Sequence, residues 1–269
     1  MYRTPRLKLL LRLLTACVLA FVYVPLVVIA LQAFNADRRG VWPIDSFTLR
    51  WVRRAAANQG LRDAIVTSVE VAVAATSIAL VLGTLASIGV HRFRFFGRDA
   101  ISLLVVLPIA LPGIVTGVAL NASFTQILGV SLALWTIVVA HSTFCIVVVY
   151  NNVVARLRRT SRSLEEASAD LGGDPWQTFR YVTFPLLRSA LLAGGLLAFA
   201  LSFDEIVVTN FTAGGQVTVP IWIFSNLFRP ANAPLVNVAA LLLVLLSVIP
   251  VWFAQRLAGE AGAATGGAR

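Results

Sequence analysis

The chain has 269 residues, 58% of them hydrophobic and only 13% charged. A soluble domain is about 45–50% apolar and ~25% charged, so a water-soluble fold of this length would lack the polar residues to cover its surface. The net charge of +10 would suggest nucleic acid in a soluble protein; here most basic residues lie in short segments between long apolar blocks and read as topology signals instead.

A helix needs ~20 apolar residues to cross ~30 Å of hydrocarbon, and six blocks of that size follow one another. They are expected at about 13–34, 64–90, 101–124, 132–154, 189–209 and 236–254. Strands of a membrane barrel would alternate apolar and polar residues. Stretches such as Ala193–Leu201 do not alternate, so the fold class is an all-α polytopic membrane protein with six transmembrane helices. The basic N-terminus and its apolar run resemble a signal peptide, but the run continues past Cys17 to Phe34 and reads as an uncleaved first span. Cys17 and Cys145 lie in different apolar blocks without metal-ligand spacing and read as packing residues.

Placing the N-terminus on the cytoplasmic side puts 15 of the 22 basic residues on that side, which favours cytoplasmic N- and C-termini. Between the first two spans, Arg38, Arg39, Arg50, Arg53, Arg54 and Arg62 run against this bias. The mix of aromatic and basic residues from Phe47 to Arg54 suggests a short helix on the membrane face. In the third span Pro108 and Pro112, near Gly113 and Gly117, remove backbone bonds and are read as a kink or a pore-lining hinge.

The segment 155–188 is the longest cytoplasmic loop. Ser163 and Glu166 have capping-box spacing, and the helix they open would place Leu164, Ala167 and Leu171 on one face. Gly172-Gly173 supplies a stop. Asp174-Pro175 starts a second helix, followed by Trp176, Phe179 and Tyr181. Two capped helices about a glycine turn are expected to form a docking element.

These residues carry a resemblance. Glu166-Ala167-Ser168, then Gly172, then Val182-x-Phe184-Pro185 is similar to the EAA loop of ABC importer permeases, with Ser168, Val182 and Phe184 as departures. Phe47–Trp51, Pro108–Gly113 and Ala200–Ile206 resemble permeases of spermidine/putrescine-type importers, and the likeness runs from about Phe47 to Leu257. It implies a type I (MetI-like) permease fold in the bacterial inner membrane: a single transmembrane domain over 1–269, with its core at about 64–257 and a coupling helix in 155–188. It also implies a second related permease, two ATPase subunits and an extracytoplasmic binding protein as partners. Glu166, Ala167, Ser168, Gly172 and Pro185 would dock the ATPase. The chain itself would bind no cofactor. A P-loop needs a lysine on the nucleotide phosphates, and Lys8, the sole lysine, stands in no such motif, so ATP and Mg are expected on the partner.

Three carboxylates fall within spans, Glu70, Asp204 and Glu205. Ionisable groups in a membrane face a bundle interior or a watery path, and these are expected to line a cation path. On a continuous helix Asp204 and Glu205 would point ~100° apart, with one of them facing the path. Other small cationic solutes, or a secondary transporter, remain alternatives to a polyamine importer. An enzyme would need an activated nucleophile beside a base; the two histidines, His91 and His141, are not so placed, and His141 reads as a polar contact between helices.

Overall fold

The computed structural model describes residues 5–93, 95–98, 100, 101, 103, 107 and 111–266; among these every regular element is a helix, joined by turns and loops, with a single isolated bridge between Asn35 and Phe47. The elements, in chain order, are α1 (Pro5–Ala33), α2 (Arg50–Ala57), α3 (Gln59–Arg92), α4 (Gly113–Ala122) with a π-helical end (Ser123–Ile127), α5 (Leu134–Leu157), α6 (Ser163–Asp170), α7 (Pro175–Thr178), a second π segment (Phe179–Thr183), α8 (Phe184–Phe203), α9 (Val207–Thr212), α10 (Val219–Leu227) and α11 (Ala233–Gly266). Five stretches among the described residues are long and apolar enough to cross a membrane: Lys8–Ala33, Gln59–Arg92, Leu134–Leu157, Pro175–Phe203 and Pro230–Phe253. The third expected span lies partly outside the described residues, Pro108 with it; its far half is α4, which starts directly after Pro112.

The chain forms two compact units. In the first, residues 1–62 and 222–245, Asn35 is the organising residue. Its carboxamide donates to Gln32 Oε1 (3.0 Å) and to the Val41 carbonyl (3.2 Å), and its own carbonyl accepts the Trp51 indole N–H at 2.8 Å. Trp51 and Ala55 are buried, so α2 turns its apolar face into its own unit. The expected short helix thus forms, and its arginine-rich face points outward, with Arg50 stacked on the Trp51 ring at 4.4 Å.

The second unit, residues 63–221 and 246–269, holds α3, α5 and α8 together by close backbone approach. A Cβ on Gly83 would sit 3.0 Å from the Ile146 carbonyl, one on Gly194 3.4 Å from the Val149 Cα, and one on Gly195 3.3 Å from Leu80. Small residues at the seams bring helices together where no hydrophobic drive exists between them in lipid. Ser87 adds a hydroxyl donated across to the Tyr150 carbonyl at 3.2 Å.

Candidate transport path and docking loop

The fifth expected span is broken where its acids lie. α8 ends at Phe203, Asp204 caps it, and α9 begins at Val207. This corrects the expectation that Asp204 and Glu205 share a continuous helix, and it separates their roles. Glu205 turns its carboxylate onto the Val208 N–H (2.9 Å), neutralising the amide end of α9. Asp204 is exposed, at the carbonyl end of a 20-residue helix, where both charge and dipole favour a cation. A discontinuous transmembrane helix is a common way to expose backbone polar groups to a solute.

Polar contacts define the break. His141, fully buried on α5, reaches Ser202 Oγ at 2.7 Å through Nδ1 and Thr209 Oγ1 at 2.9 Å through Nε2. The Thr209 hydroxyl donates to the Glu205 carbonyl (2.7 Å), so it can only accept from His141. An uncharged imidazole protonated at Nε2, accepting the Ser202 proton at Nδ1, satisfies the set. α9 is also seated on α4: a Cβ on Gly113 would meet Val207 at 3.3 Å, one on Gly117 would meet the Phe211 ring at 2.6 Å, and Asn121 donates to the Phe211 carbonyl at 2.6 Å. The glycines after Pro112 are thus the seat of the short helix that follows the acid pair.

The loop between α5 and α8 has the two expected helices. α6 ends in a Schellman turn: Gly172 is left-handed (φ +82°), its N–H donates to the Ala169 carbonyl and that of Gly173 to the Ser168 carbonyl, both at 2.9 Å. Asp174 caps α7 reciprocally with Gln177 (2.8 and 3.0 Å). The start of α6 differs from expectation. Ser163 is inside the helix, Arg162 stands at the cap position without a side-chain bond, and Glu166 reaches only Arg162, at 3.7 Å on the surface. The acid turned inward is its neighbour Glu165. Pro185 can give no N–H to residue 181 and its ring would crowd that carbonyl; the turn before it is widened into the π segment, and the helix runs on. Pro175–Phe203 is consequently one helical rod of 29 residues, ~43 Å long, from the loop after α6 to the acid break.

The sequence of residues 79–259 matches the model of the binding-protein-dependent transport system inner membrane component family. The chain belongs to this family. Two curated relatives are the spermidine/putrescine transport system permease protein PotC of Haemophilus influenzae, 34% identical over 88% of this chain and 92% of that one, and the putrescine transport system permease protein PotI of Escherichia coli, 31% identical over 85% and 84%. The fold is that of a bacterial ABC transporter involved in the import of the acidic polysaccharide alginate, with a TM-score of 0.69, 14% identity and coverage of 97% of this chain and 99% of that one. The chain is thus a multi-pass inner-membrane permease of the ABC importer class, a transport component and not an enzyme.

Of the residues expected to dock an ATPase, Ala167, Ser168 and Gly172 line one cavity, while Glu166 and Pro185 lie outside its lining. Glu166, Ala167, Gly172 and Pro185 are exposed and Ser168 half-buried. A cavity of about 410 Å³ opens between the two loop helices, lined by Leu164, Ala167, Leu171, Gly172 and Tyr181 among others, and Leu171 is 89% exposed. The acids expected on the path are not gathered into one cluster: Glu70 is exposed on α3 and has no hydrogen bond or ion pair among the described residues, whereas Asp204 and Glu205 sit at the break. Local spacing in the sequence carried no sign of the His141–Ser202–Thr209 set or of the inward turn of Glu165, because each partner lies far along the chain.

Proposed function

We propose that this permease forms half of the path of an ATP-driven importer for putrescine- and spermidine-class polyamines. The reading rests chiefly on Asp204, an exposed carboxylate at the carbonyl end of a broken transmembrane helix. The polyamine transport named for relatives at 31–34% identity agrees with it. A polyamine carries an ammonium group at each end at neutral pH, and the charge and helix end at Asp204 suit such a group. Glu70 and Glu205 belong to the same path, Glu70 as a further acid and Glu205 by holding α9 in register.

The single transmembrane domain, 1–269 with its core at about 64–257, pairs with a second related permease, two ATPase subunits and an extracytoplasmic binding protein. The loop 155–188 is cytoplasmic, as are both termini. Glu166, Ala167, Ser168, Gly172 and Pro185 seat in the ATPase, which binds and hydrolyses ATP with Mg; this chain binds neither. The continuity of α7, the π segment and α8 supports the coupling: motion of the loop travels along one rod to the break at Asp204.

The test is uptake of labelled putrescine and spermidine in cells lacking the chain, then re-expressing it with its partners, alongside a Gly172→Trp variant. A Cβ at Gly172 meets nothing within 4 Å, so the bulk projects into the docking groove while the backbone strain costs only about 1–2 kcal/mol. Uptake restored by the native chain but not by Gly172→Trp supports substrate and docking together. No polyamine uptake, with an ATPase still co-purifying, discards the substrate and keeps the importer.

A further inference from the structure

Glu165 is not part of the docking motif, yet it is the most internally bound acid of the loop. Its Oε1 accepts from Arg92 Nη2 at 2.5 Å and from the Thr183 hydroxyl at 2.8 Å. Arg92 is the last residue of α3, 73 positions away, and Thr183 is the buried last residue of the π segment that opens α8. The side chains of Arg92 and Glu165 are 10% and 21% exposed, against 68% and 67% for the Arg162–Glu166 pair one position along. An exposed pair of that kind contributes little, whereas losing one partner of a shielded pair leaves an uncompensated charge. Two further contacts close the joint: Ser168 Oγ lies 2.9 Å from Thr178 Oγ1, tying α6 to α7, and Arg156 Nε donates to the Leu186 carbonyl at 2.9 Å, tying the end of α5 to the start of α8.

We propose that Glu165 is a positioning residue that latches the docking loop to α3 and α8 at once, so that a push on the loop moves both spans as one body. The inference rests on the loop being the ATPase-docking element. Without Glu165 the loop still docks, but its motion reaches α8 only and α3 lags behind.

The whole importer complex, reconstituted in proteoliposomes, supplies the test. Glu165→Ala and Arg92→Gln are expected to co-purify with the ATPase and to hydrolyse ATP within about twofold of the native rate, while polyamine uptake per ATP falls about tenfold. The exchanged pair Arg92→Glu with Glu165→Arg should recover much of it. Spin labels at Phe96, just beyond α3, and at Asp170, the end of α6, give a readout that needs no substrate: one narrow distance with or without nucleotide in the native complex, and a broad, nucleotide-dependent distribution in Glu165→Ala. Unchanged uptake per ATP, or an unchanged distance distribution, overturns the latch. So does loss of the ATPase from both Glu165→Ala and the gentler Glu165→Gln, which would make Glu165 a folding residue only. If the native complex carries no polyamine, the substrate reading fails while the label distances still decide the latch.

Discussion

Asp204 and Glu205 are neighbours with different work. Glu205 spends its carboxylate on the Val208 N–H, while Asp204 stands exposed at the end of α8. Asp204→Asn removes an attraction of about 1–4 kcal/mol for a cation at ~4 Å, so uptake should fall about fivefold or more with no change in the melting temperature of the detergent-solubilised complex. Glu205→Gln keeps an acceptor for the amide and should leave uptake within severalfold, its effect appearing as a lower melting temperature through a weakened cap. The reverse ranking would assign the cation to Glu205. His141→Leu leaves Ser202 and Thr209 without their shared partner. At roughly 0.6–2 kcal/mol per interhelical bond in a membrane, the variant should melt measurably lower, and labelling at the break should show it loosened; His141→Gln, which can still bond both hydroxyls, should be milder. None of this triad was legible from spacing. His141 was readable as an interhelical polar contact, because a lone histidine in an apolar block needs a partner, but its partners lie 61 and 68 residues away.

At the scale of elements, the loop between α5 and α8 was the most legible part because its signals are local. Asp174-Pro175 and Gly172-Gly173 each specify a helix end from two residues, and both ends form as expected. The capping box at Ser163 did not form: the helix starts at Ser163 itself, and Glu166 lies on the surface beside Arg162 and does not reach back to the cap. The break in the fifth span was hidden, since Leu201–Val207 contains neither proline nor glycine and reads as uninterrupted helix. The short helix after the break is seated on α4, where Gly117 lets the Phe211 ring approach closely. Gly117→Val would drive a Cβ to 2.6 Å from that ring and 3.2 Å from the Phe211 Cβ, forcing both elements to shift. Overpacking of this kind costs about 1–3 kcal/mol. The melting temperature of the purified complex should drop accordingly and uptake should fall with it, while Gly89→Ala, where an added Cβ meets nothing, should change neither.

At the scale of the whole molecule, the spans were legible because twenty apolar residues in a row have few other uses, but their lengths were not. α3 has 34 residues, ~51 Å of helix against ~30 Å of hydrocarbon, so its ends project beyond the core and deliver Arg92 to the docking loop. Orientation decides whether that projection faces the ATPase. The positive-inside bias puts the loop 155–188 inside, and the six arginines of segment 35–63 are the feature that opposes it. Their structural setting weakens the objection: α2 buries Trp51 and stacks the guanidinium groups of Arg50 and Arg54 on that ring, so these two arginines are built into a folded unit and are not simple flanks of a span. A chain with Cys17→Ser and Cys145→Ala, carrying either Arg53→Cys or Leu171→Cys, allows a direct check in intact cells. A membrane-impermeant maleimide should label Arg53→Cys before lysis, and Leu171→Cys only after it. Labelling of Leu171→Cys from outside would place the docking loop away from ATP, and neither the coupling rod nor the Glu165 latch could then act in import.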